Sequence, residues 1–152
     1  MSGGLALHIT VEHGPHPDRM ALTRALVRWA DVAGPTLRDL VREEAPVGQG
    51  PGAGRLRQQI RYQRNTSVGS VALKILGGAP YTGFVLHGTQ PHVILPRHTL
   101  ALHWTSGGAD HFATIVHHPG TQPNPFGQRA LDRGRIGLSR TLAVIMGEEL
   151  AR

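Results

Sequence analysis

Ten histidines and no cysteine in 152 residues make imidazole the side chain to test first for metal or acid–base chemistry. Several crowd into two loops of similar composition, LHGTQPH at 86–92 and VHHPGTQPNPF at 116–126. A zinc site needs three or four nitrogen, sulfur or carboxylate donors within about 2.3 Å of one ion. The helical spacings HxxxH and HExxH are absent. The candidate sets are His87, His92 and His117 near the two loops, and His103 with His111 across a hairpin. On a strand alternate residues share a face, so His111 and His117 would look one way and His118 the other. No metal and no cofactor are assigned, and the histidines are read as hydrogen-bonded or exposed.

Nucleophilic chemistry has no better support. Thr89 and Thr121 lie beside histidines, but no GxSxG elbow is present and there is no thiol. Asp110 sits in a hairpin loop, where turn chemistry explains it. No GxxxxGK[ST] loop or strand–GxGxxG–helix fingerprint occurs. The chain is therefore read as non-enzymatic, with no catalytic residue.

The elements that must position these residues follow from periodicity. Residues 5–12 alternate Leu5, Leu7, Ile9 and Val11 with smaller or polar residues, which predicts a strand. Leu22, Leu26, Trp29, Ala33, Leu37 and Leu40 recur at helical steps, and Gly34-Pro35 is expected to kink or split that helix before Pro46 ends it. Residues 45–66 are expected as a flexible basic loop, with a short strand or helical turn from Leu56 to Gln63. Residues 67–76 predict a strand buried on one side by Val71, Leu73 and Ile75, and 79–87 a helical turn or two. Strands are expected at 93–95, 100–104 and 111–118, the last two joined by a hairpin loop at 106–110. A terminal helix starts at Phe126, its middle weakened by Gly134 and Gly137. The sum is one α+β domain, an antiparallel sheet with a long N-terminal helix and a C-terminal helix packed on one face.

The two loops then acquire a mechanical meaning. Pro119, Pro123 and Pro125 remove donors and fix φ, so 118–125 is a stiff extended connector anchored by Phe126. Residues 86–92, with Pro91, form a second one leaving a helical turn. Rigid connectors at a sheet edge suit a surface that meets a partner in one geometry.

Net charge is +6, and between Glu44 and Asp110 no acidic residue occurs. That span carries Arg55, Arg57, Arg61, Arg64, Lys74 and Arg97, a pattern suited to nucleic acid or to an acidic protein face. Zinc-finger, RNA-recognition and helix-turn-helix signatures are absent, and 5% aromatics leaves little for base stacking. No apolar run approaches the ~20 residues of a membrane span, and the opening residues are not expected to act as a secretory signal.

The run YTGFVLHGTQPHVILP at 81–96, then LALHW at 100–104, Phe112, HPGTQPNPF at 118–126 and Ala130-Leu131, resembles a family of tailed-phage neck proteins, the tail-completion or head–tail connector proteins of siphophages. The lead-in Ala45-Pro46-Val47 with Gly54 and Leu56 is similar too, so the likeness runs from about residue 17 to 151. Two positions depart from the family pattern: His87 stands where an acidic residue commonly precedes Gly-Thr, and Gly127 follows Phe126 in place of Leu. The resemblance implies a structural virion protein, assembled in the host cytoplasm as a homo-hexameric ring between a head-side connector or stopper and a tail terminator or tail-tube protein. Genomic DNA would pass through without sequence-specific binding, and no membrane is involved. Its interface candidates are Leu86, His87, Gly88, Thr89, Pro91 and His92 in the first connector. In the second they are His118, Pro119, Gly120, Thr121, Pro123, Pro125 and Phe126. Arg55, Arg57, Arg61 and Arg64 are expected to face the channel or a neighbouring ring. The alternatives are a small basic nucleic-acid-binding module and a histidine-based metal enzyme.

Overall fold

Leu22, Leu26, Trp29, Ala33, Leu37 and Val41 recur every three or four residues, and all are buried. A computed structural model, which describes residues 6–12, 18–48 and 52–151, folds them into helix α1 (Arg19–Glu44). Asp18 starts the helix, its carboxylate accepting the Ala21 N–H at 2.7 Å. Gly34-Pro35 does not split it, contrary to expectation. Proline inside a helix costs about 3 kcal/mol, but the wholly buried Ala30, Ala33 and Leu37 flank the pair and hold the turn by packing. Gly34 has its own use: a Cβ there would lie 2.6 Å from the Tyr62 ring, so only glycine admits the crossing strand.

The chain continues through α2 (Arg55–Gln58), β2 (Ile60–Ser67) and β3 (Ser70–Gly77). The second half of 45–66 is therefore helix and strand, and not a loop. With β1 (Ala6–Glu12), these strands form an antiparallel sheet in the order β1-β3-β2. Val71, Leu73 and Ile75 face α1 as expected and are fully buried.

After α3 (Thr82–His87) come β4 (His92–Ile94), β5 (Leu102–Ser106), β6 (Ala109–Ala113) and β7 (Val116–His118). Residues 111–118, expected as one strand, break at Thr114-Ile115 because the chain changes partner: β6 pairs with β5, whereas β7 pairs with β4. Two small antiparallel ladders thus stand apart from the main sheet.

Helix α4 (Phe126–Leu150) completes the α+β fold. It packs along α1, so it reaches the sheet by way of the first helix. Trp29 Nε1 donates to Leu138 O at 3.0 Å across the buried seam. Ion pairs close both ends and fix the helices antiparallel. Arg28 meets Glu148 at 2.8 Å and Glu149 at 3.2 Å, and those carboxylates hold its guanidinium pKa above the ordinary value. At the other end Arg129 meets Glu44 at 3.3 Å, and Arg133 bonds both Glu43 and Glu44. Among the described residues no helix is long and apolar enough to cross a membrane.

Two of the glycines of α4, Gly134 and Gly137, have opposite roles. A Cβ on Gly134 would lie 2.6 Å from Leu40 Cδ1, whereas one on Gly137 would meet nothing. Thermal and urea melts should show Gly134→Leu destabilised by about 1–3 kcal/mol through overpacking, and Gly137→Ala stabilised by about 0.5–1 kcal/mol through helix propensity.

Candidate functional site

The tetrapeptide Gly-Thr-Gln-Pro occurs twice, at 88–91 and 120–123, and the fold lays the two copies against each other. Thr89 N–H donates to Thr121 O at 3.0 Å, and Thr121 N–H donates to Thr89 O at 3.1 Å. The two hydroxyls stand 3.2 Å apart. Each glycine sits against the other copy's backbone: a Cβ on Gly88 would be 2.3 Å from Thr121 O, and one on Gly120 2.2 Å from Thr89 O. Both also hold positive φ, 71° and 86°, which side chains resist. The result is a clasp with approximate local two-fold symmetry. The prolines that follow, Pro91 and Pro123, add no N–H that a neighbouring strand could pair with.

The clasp is tied to the body on both sides. α3 precedes it, with Thr82 fully buried and its hydroxyl donating to Ala79 O at 2.6 Å. On the other side Asn124 N–H donates to Val85 O at 3.0 Å, and Asn124 Oδ1 accepts from Arg129 at 2.8 Å. Phe126 then enters the core and is wholly buried.

Beyond the clasp the chain forms an arm. His92 and His118 are opposite each other and stack at 4.9 Å. His92 Nδ1 bonds Gln90 O at 2.9 Å, and His118 Nδ1 accepts the Gly120 N–H at 3.0 Å. At the far end, Gly107 and Gly108 turn the β5–β6 hairpin with φ of 61° and 80°. Its cross-strand neighbours stack: His103 on Phe112 at 4.6 Å, and Trp104 on His111 at 5.4 Å. Asp110 accepts from Thr105 Oγ1 at 2.8 Å and lies 3.1 Å from His103 Nε2. Val93, Leu95, Leu100, Trp104, Phe112 and Ile115 are all exposed on this arm. At its base, next to the clasp, lies a groove of about 850 Å³. It is lined by Tyr81, Phe84, Val85, Gly88, Thr89, Gln90, His92, His118, Thr121, Gln122 and Asn124, with no acidic residue, lysine or arginine among them.

The histidine sets do not converge as metal ligands. His103 and His111 project from opposite faces of the hairpin, and so do His92 and His117 on β4–β7. Among the described residues no three of His, Asp and Glu are grouped to hold an ion.

Several interface candidates take other roles. Phe126 is core, and Leu86 packs half-buried against it. Gly88, Thr89, Gly120 and Thr121 build the clasp, leaving His87, Pro91, His92, Pro119, Pro123 and Pro125 exposed, with His118 half-buried. Two of the four arginines are also engaged internally. Arg57 donates to Ala45 O at 2.8 Å and Glu43 O at 3.0 Å, covering carbonyls that the end of α1 leaves open. Arg64 is paired with Asp31. Arg55, Arg61 and Arg64 are all exposed, but among the described residues only Arg64 of these three has an ion-pair partner. The exposed apolar residues of the arm were missed by the sequence reading. The signal was present: His103 and Phe112 share one face and Trp104 and His111 the other, so neither face is the wholly polar one that a wet hairpin shows.

Compared with protein-family models, curated proteins and solved structures, the chain matches none.

Gly88→Ala and Gly120→Ala should each cost about 1–3 kcal/mol or more, because positive φ and a backbone clash add. Amide exchange should show the loss first at Thr89 and Thr121. Arg57→Ala should lower the melting temperature, whereas Arg55→Ala should leave it unchanged, since only Arg57 carries the cap bonds.

Proposed function

We propose that this chain is a structural assembly protein of a siphophage neck, one that closes into a homo-oligomeric ring joining the head-side connector to the tail tube. The observation that carries this is the arm: a clasped projection with an aromatic ring on each face and no core of its own. A two-stranded hairpin is marginal in water by itself, and exposed aromatic patches of this kind mark protein contacts. The ordered likeness of 81–126 to the neck family gives the contact its setting. Among the described residues no group of His, Asp and Glu is placed to hold a metal, and His92, His103, Asp110 and His118 are each engaged in a hydrogen bond within the chain. Of the arginines read as facing a channel or neighbouring ring, Arg55 and Arg61 remain the candidates.

In the virus that encodes the chain, deleting its gene should leave DNA-filled heads and tails unjoined under the electron microscope. Supplying the protein in trans should restore joined particles. Normal virions in the deletion would overturn the assignment.

A further inference from the structure

Each copy of this chain carries an apolar projection and, at the root of that projection, an uncharged groove. We infer that the arm of one copy docks in the groove of the next. This rests on the ring assignment above and specifies its contact.

The arm needs a cover. Leu100 is 96% exposed, Phe112 70% and Trp104 42%. Taking about 200 Å² for a whole aromatic side chain and about 100 Å² for an aliphatic one, the exposed apolar parts of the arm come to roughly 500 Å². Tyr81 and Phe84, the latter 63% exposed, add roughly 200 Å² on the groove side. The total of about 700 Å² is close to the roughly 900 Å² of apolar surface in an interface of ordinary size.

Charge agrees with this occupant. Apart from histidines, residues 89–121 contain only Arg97 and Asp110 as charged groups, and Asp110 is already bonded within the hairpin. The groove has no charged wall. Docking therefore leaves Arg97 as the one fixed charge of the arm that has to stay at the wet rim of the contact, where it does not oppose burial.

A chain cannot fill its own groove. His92 and His118 are both the first pair of the arm and part of the groove wall. To return, the arm would have to fold back across the paired β4 and β7, which leave that wall in extended form. The contact is thus head-to-tail, with different surfaces on the two sides, and such contacts generate rings when the rotation closes.

The test uses the purified full chain. Native mass spectrometry should show oligomers, and assembly should protect Trp104 from acrylamide quenching; Trp29, 3% exposed, is already shielded. An arm variant (W104S with F112S, or separately Leu100→Asp) and a groove variant (Phe84→Asp) should each weaken assembly about thirtyfold or more. The circular dichroism and melting of the Leu100→Asp and Phe84→Asp variants should stay native, because those two side chains are on the surface. Mixed together, the arm variant and the groove variant should form one-to-one heterodimers that go no further, since only one intact arm and one intact groove remain. A groove variant that assembles like the wild type would overturn the inference while leaving a ring possible. So would a wild-type chain that stays monomeric and covers Trp104 only when lipid vesicles or another neck protein are added; the deletion experiment judges the ring assignment separately.

Discussion

The reciprocal hydrogen bonds between Thr89 and Thr121 mark where the buried body ends and the arm begins. They are only two, yet the geometry around them is over-determined. Each glycine is jammed against the opposite carbonyl, and each is followed within three residues by a proline. The position of the arm relative to the body is set there. Without that fixed exit angle, the arm would explore many directions, and ordering it on contact would cost conformational entropy.

The body gives the clasp something rigid to hold. α1 is buried along two sides, one against the sheet and one against α4, and this double burial explains how it tolerates an internal proline. Small residues make both contacts close: Gly34 under the Tyr62 ring and Gly134 under Leu40. The chain also spends many of its arginines on itself. Ion pairs bind the two ends of the helix pair, and Arg57 covers the carbonyl end of α1. Most of these groups are partly exposed, so each contributes little alone. Their placement at both ends nevertheless fixes which way α4 runs.

An excess of positive charge is therefore a poor guide to partners in this protein. Arg57 and Arg64 sit in the acid-free span, but both are engaged within the chain, Arg57 by the carbonyls of Glu43 and Ala45 at the end of α1 and Arg64 by Asp31. The uncharged surfaces are the ones left without a cover: a hairpin with rings on both faces and a groove walled by Tyr81 and Phe84.

By itself the sequence determined what local periodicity encodes. The stripe on α1, the buried face of β3, the start of α4 at Phe126 and the Gly107-Gly108 turn depend on residues close in the chain, and each was legible there. The two Gly-Thr-Gln-Pro copies were visible as similar loops, but not as partners, because 32 residues separate Thr89 from Thr121 and strand pairing depends on how the chain returns. Tertiary structure alone decided that the strand expected at 111–118 divides between two ladders. It also decided that Gly34 and Gly134 are close-contact points rather than weak ones, and that two arginines of the basic span are bonded within the chain. The physical reason is common to all of these: each depends on what lies across the gap, and a side chain's spacing along its own element carries no record of that neighbour.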